Sequence, residues 1–243
     1  MANSTEILKW DSDFFSLKIA SICVDLCDEL YIKDKLSFYK ALDFDLVYVF
    51  LREDALLSSS ILSSYNCQLV DCKIKYGLAI EEENHTHSDQ IVEFDGDATE
   101  LYDLGIQAGI TSRYKIDSNF KEGEFERLYT AWIDNSVNHK LADKVMVYKD
   151  AENIVGFITL KKKTDEMAII LIAIDPKFRR LGIGGKLLSH AKKYARKEKC
   201  KKLTVATQKH NEKACLFYER FGMNIEQKTY IYHVWLQNII SKS

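Results

Sequence analysis

Proline is almost missing from this chain: Pro176 is the only one in 243 residues. Long apolar runs are missing too. None approaches the ~20 residues that carry a helix across a bilayer, so no membrane-spanning segment is expected, and no signal-peptide pattern is read at the start. Six cysteines stand at positions 23, 27, 67, 72, 200 and 215, but no two of them make a C-x-x-C pair. They read as small hydrophobes in a reducing compartment, and the expected location is the cytoplasm. Neither sign of charge dominates, with 34 basic against 36 acidic residues and a net charge of -2. No global field therefore draws nucleic acid or an anionic membrane, and neither is expected as a partner. The two commoner phosphate loops, G-x-G-x-x-G and G-x-x-x-x-G-K-[ST], are also missing.

Glycine is sparse, ten in all, yet three of the ten fall within four residues at Gly182, Gly184 and Gly185. They lie in AIILIAIDPKFRRLGIGGKLL, Ala168 to Leu188. The apolar run Ile169 to Ile174 reads as a buried strand stopped by Asp175 and Pro176. Ile183, Leu187, Leu188, Ala191, Tyr194 and Ala195 then recur at helical spacing. Each glycine in a first helical turn costs roughly 0.5 to 1 kcal/mol relative to alanine. A ligand explains that cost: without side chains, the free N-H groups and the positive end of the helix dipole can close on a phosphate. Arg179, Arg180 and Lys186 add positive charge at the same point.

Strand, proline, the aromatic Phe178, Arg179-x-x-Gly182-x-Gly184 and an amphipathic helix occur in that order. The pattern resembles the pyrophosphate loop of the GNAT superfamily of N-acetyltransferases. The resemblance implies acetyl-CoA as acetyl donor, held by Leu171, Ile172, Ala173 and Ile174 of the strand and by Arg179, Arg180, Leu181, Gly182, Ile183, Gly184, Gly185 and Lys186 of the loop.

The rest of the chain supplies the setting. Aromatics Trp10, Phe14 and Phe15 lead into a strand within Ile7 to Leu26. A helix is expected over Asp28 to Leu42, a strand over Asp45 to Glu53, a helix over Ala55 to Tyr65 and a strand over Gln68 to Ile80. The polar stretch Glu81 to Gln90 reads as a linker, dividing the chain into an N-terminal α/β domain, residues 1–90, and a second domain, residues 91–243. His85 and His87 within it read as surface residues, and no metal site is expected. Helices over Ala98 to Gly109 and around Phe125 to Val137 come next, then strands over 145–149, 154–160 and 167–174. After the glycine loop follow a strand at Leu203 to Thr207, a helix at Glu212 to Phe221 and a strand at Thr229 to Leu236. The fold class is α/β (α+β), and the element order is that of a GNAT fold, with a mixed, mainly antiparallel sheet flanked by helices. The basic run Lys192 to Lys202 keeps helical spacing and reads as a solvated helix face.

One internal similarity is visible. LSSYNCQLVDCKIKY, Leu62 to Tyr76, can be laid on YERFGMNIEQKTYIY, Tyr218 to Tyr232, with Tyr65 on Phe221, Cys67 on Met223 and Leu69 on Ile225. It makes the first domain a partial copy of the second without the glycine loop. Chance at two helix-to-strand junctions is the rival reading.

A second chemical constellation is Asn211-x-x-Ala214-x-x-x-Tyr218. Asn211 as a helix N-cap and Tyr218 as a core aromatic would account for either alone. By the family resemblance, Asn211 contacts the pantetheine arm and the Tyr218 hydroxyl is the catalytic acid. With a reference pKa near ~10 it can protonate a departing thiolate whose thiol lies nearer ~8.5. Phe217 belongs to the same cofactor-binding set, and departs from the family by standing where related enzymes carry a basic residue. The strand Met167 to Ile174 carries no carboxylate, so no general base is assigned.

Among GNAT enzymes the chain resembles the TDP-fucosamine acetyltransferases of surface-polysaccharide biosynthesis. Collinear matches run from Leu8-Lys9-Trp10 with Phe14-Phe15, through Ser112-Arg113-Tyr114 and Tyr129-x-x-Trp132-Ile133-x-Asn135, to Val205-Ala206-Thr207-Gln208. The resemblance implies as acceptor a small-molecule amine, a TDP-linked 4-amino-4,6-dideoxy sugar. From the residues themselves, Arg113 could pair with its diphosphate and Tyr114 could stack on a ring, while ordinary loop packing accounts equally well for both. Other readings stay open: another amine such as a protein N-terminus, polyamine or antibiotic, or a CoA-binding sensor without catalysis. A homodimer paired through C-terminal strands is one expected assembly.

Overall fold

The computed structural model describes residues 3–25, 28–52, 56–81 and 90–237. Its strands are β1 (Ser4–Ile7), β2 (Ile19–Val24), β3 (Leu46–Leu51), β4 (Asn66–Ala79), β5 (Ile91–Glu93), β6 (Lys144–Asp150), β7 (Asn153–Lys163), β8 (Glu166–Ile174), β9 (Lys202–Gln208) and β10 (Asn224–Trp235). The helices are α1 (Lys9–Phe15), α2 (Glu29–Ala41), α3 (Ser59–Ser64), α4 (Tyr102–Ala108), α5 (Arg113–Ile116), α6 (Glu124–Val137), α7 (Ile183–Lys197) and α8 (Glu212–Arg220). All ten strands form one sheet, in the order β1-β2-β3-β10-β4-β9-β8-β7-β6-β5. The pairs β2–β3 and β8–β9 are parallel and the rest antiparallel.

Alternation along the strands divides the core. On β3, Leu46 and Tyr48 join a cluster that includes Leu104, Phe125, Leu128 and Ile133, while Val47, Val49 and Leu51 join another with Ile32, Leu36 and Ile61 of α2 and α3. A third cluster packs α7 through Ile183, Leu187, Leu188 and Ala191 onto Ile158, Leu160 and Leu203. Burying a leucine or isoleucine side chain contributes roughly 1.5–3 kcal/mol, so these faces hold the helices in place.

The internal similarity has a structural counterpart. In β3–β10 Leu51 pairs with Tyr230, and in β4–β9 Lys73 pairs with Gln208. Moving β3 and β4 forward by 156 positions lays them on β9 and β10, and the six pairs of the β3–β10 ladder then correspond to six of the seven pairs of the β4–β9 ladder. Lys73 and Thr229, themselves 156 positions apart, face each other across β4 and β10. The last strand of each half is thus exchanged: β10 lies beside β3, and β4 lies beside β9. The halves differ in the crossover before β3 and β9. Ile19 pairs with Leu46, 27 positions on, and Glu166 with Lys202, 36 positions on. The glycine loop lies in the longer crossover.

Several expectations are corrected. Because β10 is paired on both sides, C-terminal strands are not available for a dimer; the sheet ends at β1 and β5. The helix expected over 55–65 covers only Ser59–Ser64, and the final strand starts at Asn224, where polar residues are drawn into pairing with β4. The helix over 98–109 begins as a 3-10 turn, Ala98–Leu101, under an Asp97–Glu100 capping box. It carries Gly105 inside, where a Cβ would come within 2.5 Å of Ile133 Cγ1. The short elements β1, α1, β5 and α5 gave no periodic signal. Most of the linker stretch, with His85 and His87, lies outside the described residues. No described helix is long and apolar enough to cross a membrane, and no metal-binding cluster occurs among the described residues.

Candidate active site

The site arises where two parallel strands part. β8 and β9 are hydrogen-bonded from Glu166–Lys202 to Ile169–Val205 and no further. Beyond that point β8 follows β7, and β9 follows β4. The opening is a cavity of about 330 Å³ at the C-terminal ends of parallel strands, where α/β sheets commonly receive ligands. Ile169–Ile172 form one wall and Val205–Gln208 the other, with Asn211, Ala214 and Tyr218 of the α8 region, Ser112–Tyr114, and Asp71 and Lys73 of β4. A bulge on β8 leaves Ile170 out of the β7 ladder, and the next amide, Leu171 N-H, donates to Thr159 Oγ1 at 3.0 Å.

The glycine loop stands at the end of the β8 wall. Asp175 caps a 3-10 turn, Pro176–Phe178, and Arg179 Nε donates to the Ile174 carbonyl at 3.1 Å. Arg180 (φ 66°) and Gly182 (φ 78°) adopt left-handed backbone, which aims the chain into α7 with Gly182 as its N-cap. The first N-H groups of the helix are left without intrahelical partners. At Gly185 a Cβ would meet nothing within 4 Å, so no packing demand explains that glycine, whereas at Gly184 it would come within 2.9 Å of Phe217 Cζ. Phe217 is thereby accounted for as the apolar cover of Gly184. Lys186 Nζ donates to the Tyr148 hydroxyl at 3.1 Å and to Gln90 Oε1 at 3.3 Å, which fixes it beside the turn. Helix N-H groups without intrahelical partners, beside basic residues, are a chemistry that receives phosphate. Leu181 is an exposed apolar residue within the loop, and Ile183, Leu171 and Ala173 are core residues.

Tyr218 is buried on α8, its ring 5.7 Å from Tyr76 and 5.3 Å from Phe217. Burial raises its phenol above the ordinary tyrosine range, so the hydroxyl is protonated at neutral pH. Asn211 serves two purposes. Its Oδ1 accepts from Ala214 N-H at 3.4 Å as the N-cap of α8, and its Nδ2 donates to Thr111 Oγ1 at 3.2 Å. Thr111 Oγ1 also donates to Gln208 Oε1 at 2.9 Å, and its carbonyl lies 3.0 Å from His210 Nε2. The segment before α5 is thus clamped to the turn between β9 and α8.

Arg113 and Tyr114 reach the cavity together but differently. The Arg113 guanidinium lies over the rings of Tyr48, at 4.5 Å, and Tyr114, at 4.7 Å, and donates to the Tyr114 hydroxyl at 2.6 Å. Its Nε is buried with no hydrogen-bond partner among the described residues. It is a cation held in place at the wall. Tyr114 already stacks on Phe15 and packs against Phe120 and Trp132, so it is a wall of the cavity rather than an unoccupied stacking platform. Sequence reasoning missed Asp71 and Lys73. Both come from the N-terminal third and enter this site because β4 pairs with β9. Burial pushes the Asp71 carboxyl up to about 6, against the opposing pull of Arg113, His210 and Lys73, and burial lowers the Lys73 ammonium.

Residues 110–223 match the family model described as the Acetyltransferase (GNAT) family. Over 140 residues the chain is 28% identical to the spore coat polysaccharide biosynthesis protein SpsD of Bacillus subtilis (strain 168), covering 58% of this chain and 48% of that protein. The chain thus spans about half the length of that relative. In fold it is similar to a GCN5-related N-acetyltransferase from Sphaerobacter thermophilus (TM-score 0.56, 14% identity, 97% of this chain and 77% of the other). It is also similar to a tandem GNAT protein from the clavulanic acid biosynthesis pathway (TM-score 0.57, 8% identity, 90% and 75%).

Proposed function

Because residues 110–223 match the GNAT acetyltransferase family model, we propose that the chain is an acetyl-CoA-dependent N-acetyltransferase whose acceptor is the amine of a nucleotide-linked amino sugar, a TDP-4-amino-4,6-dideoxyhexose. The observation that carries this reading is the cavity in which the parted strands β8 and β9, the Tyr218 phenol and two cationic side chains, Arg113 and Lys73, meet. Two cations on the acceptor side suit an anionic diphosphate and disfavour a polyamine. The likeness to a spore coat polysaccharide protein supports a sugar acceptor. In this reading the chain divides at residue 90 into an N-terminal α/β domain and the GNAT domain.

When bound, acetyl-CoA supplies a thioester as acyl donor. The chain's own groups do the rest. Gly182 to Lys186 present N-H groups and positive charge to the pyrophosphate, with Arg179 and Arg180 beside them. β8 offers main-chain groups along Ile170 to Ile174 for an added strand-like arm. The bulge takes Ile170 out of the β7 ladder, so its main-chain N-H would serve as donor to the acyl oxygen, and one such donor contributes roughly 2.7–4 kcal/mol to acyl transfer. Asn211 holds the turn at the cavity wall. Tyr218 gives its phenolic proton to the departing sulfur.

The test is a thiol-release assay with acetyl-CoA and TDP-4-amino-4,6-dideoxygalactose, run beside spermidine and a peptide with a free N-terminus. Turnover confined to the sugar nucleotide is the expected result. Thiol release with spermidine or the peptide but not the sugar would keep the donor site and reject the acceptor.

A further inference from the structure

An attacking amine must first lose a proton, because at the pKa of an ordinary alkylamine it is almost wholly ammonium at neutral pH. The cavity offers few groups able to take it. Of the ionisable side chains lining it, Lys73 and Arg113 are cations, and the Tyr114 hydroxyl accepts from Arg113. Burial drives the phenols of Tyr129 and Tyr218 upward, Tyr129 to about 12, so both hold their protons. That leaves one carboxylate. Building on the acetyltransferase reading above, we infer that Asp71 is the general base of the reaction, supplied to the C-terminal domain's cavity by a strand of the N-terminal half.

Three observations carry the assignment. Asp71 is 7% exposed, and its Oδ1 is buried with no hydrogen-bond partner among the described residues. A buried carboxylate oxygen without a donor is unusual in a folded protein, and here it belongs to a side chain lining the cavity. The backbone is shaped for this placement: Tyr232 pairs with Leu69 and Ile231 with Asp71, so a bulge at Val70 directly precedes the carboxylate. Finally, the strand exchange brings it there, by setting β4 beside β9. The residue 156 positions on, Gln227, pairs with Lys75 of β4 and does not line the cavity. The second half therefore has no carboxylate of its own at this place and takes one from the first.

The groups facing Asp71 are Arg113 from α5, His210 from the turn after β9, and Lys73 two residues along β4. With burial they leave a carboxyl that titrates near 6, ionised yet still basic at neutral pH, which suits a general base. The ammonium has two protons that the amide lacks. One N-H bond breaks as Asp71 Oδ1-H forms, before attack, and that proton leaves to solvent with the product. The second, lost as the C-N bond forms, restores the Tyr218 hydroxyl after its proton has gone to the sulfur.

The experiment compares wild type, Asp71→Asn and Asp71→Glu with TDP-4-amino-4,6-dideoxygalactose and with whichever panel amine turns over best. It reads kcat against pH, acetyl-CoA binding by calorimetry, and the Asp71 carboxyl by ¹³C NMR, assigned from the signal missing in Asp71→Asn. The assignment predicts a carboxyl titrating near 6, an acidic limb in the wild-type rate at the same pH, and a kcat lower by 10²-fold or more in Asp71→Asn. Asp71→Glu should keep part of the rate, and both variants should bind acetyl-CoA within about twofold of wild type. An Asp71→Asn enzyme that keeps the wild-type rate and acidic limb overturns the assignment, as does a carboxyl titrating below 5. Failure of the acetyltransferase reading shows differently, as wild type that binds no acetyl-CoA, and removes the assignment with it.

Discussion

His233 Nδ1 lies 2.6 Å from Asp117 Oδ2, with neither side chain touching solvent. The same oxygen accepts from Trp235 Nε1 at 2.9 Å. One carboxylate thus ties the end of α5 to two residues of β10, beneath the Tyr48 and Phe120 rings. Burial pushes the imidazole down to about 4 despite its carboxylate partner. Burial would raise Asp117, but its bonds from His233, Asn119 and Trp235 outweigh that and hold it below the usual carboxylate range. The pair is therefore a neutral imidazole donating to an anion.

Its effect on stability has a definite sign. As pH falls from 6.5 towards 4, unfolded His233 takes up a proton that the folded form refuses, so stability declines. Asp71 opposes this. Its raised pKa makes the folded state bind more protons than the unfolded between about 4 and 6. Denaturant unfolding of Asp71→Asn between pH 7 and 4.5 should isolate the His233 slope, a loss of about 1–3 kcal/mol. A flat profile would mean that His233 is charged in the folded protein.

Asp71→Asn should also be more stable than wild type at pH 8, by about 1–2 kcal/mol, because a buried anion is removed. The advantage should shrink as pH falls from 6 to 4 and vanish near pH ~3, where Asp71 is protonated in both states. A variant less stable at pH 8 would show that the carboxylate is held by favourable partners.

Gly185→Ala separates packing from ligand binding. The added methyl meets no protein atom within 4 Å and favours the helix, so thermal unfolding should show a gain of about 0.5–1 kcal/mol. Acetyl-CoA affinity should fall by tenfold or more as the methyl enters the space of the pyrophosphate. Unchanged affinity would place the phosphates elsewhere.

Tyr218→Phe should lower kcat by about 10²-fold while leaving acetyl-CoA binding within a few-fold. Since burial holds the wild-type phenol above its ordinary range, no basic limb from Tyr218 should appear in the rate below pH 10. A wild-type rate that declines between pH 8 and 9 would point to another acid.

The legibility of the sequence followed the range of the interactions. The buried strand, the proline and the glycine-rich helix start are local, and Ile169 to Ala195 lies in the structure as its pattern predicts. Helix α6 was equally plain, because Phe125, Leu128, Tyr129 and Ile133 share a face. Asp71 was invisible for the opposite reason. In sequence it is one polar residue in an alternating strand, and its place in the cavity depends on β4 meeting β9, some 130 residues away. The weak match of Leu62–Tyr76 to Tyr218–Tyr232 was the only trace of that arrangement. It marked two equivalent strands but not that each had crossed to the other's side. For Tyr114 the sequence left stacking on a ligand and loop packing equally open, because nothing local says that Phe15 stacks on its ring.

Exchange of β4 and β10 also governs when the molecule can be assembled during synthesis. Until residues 224–235 have left the ribosome, β3 and β4 each present an open strand edge to their surroundings, and those edges include Val47, Val49 and Ile74. Unpaired apolar edges of this kind invite pairing with other chains. A nascent chain halted before β10 should therefore depend on a chaperone to stay dispersed.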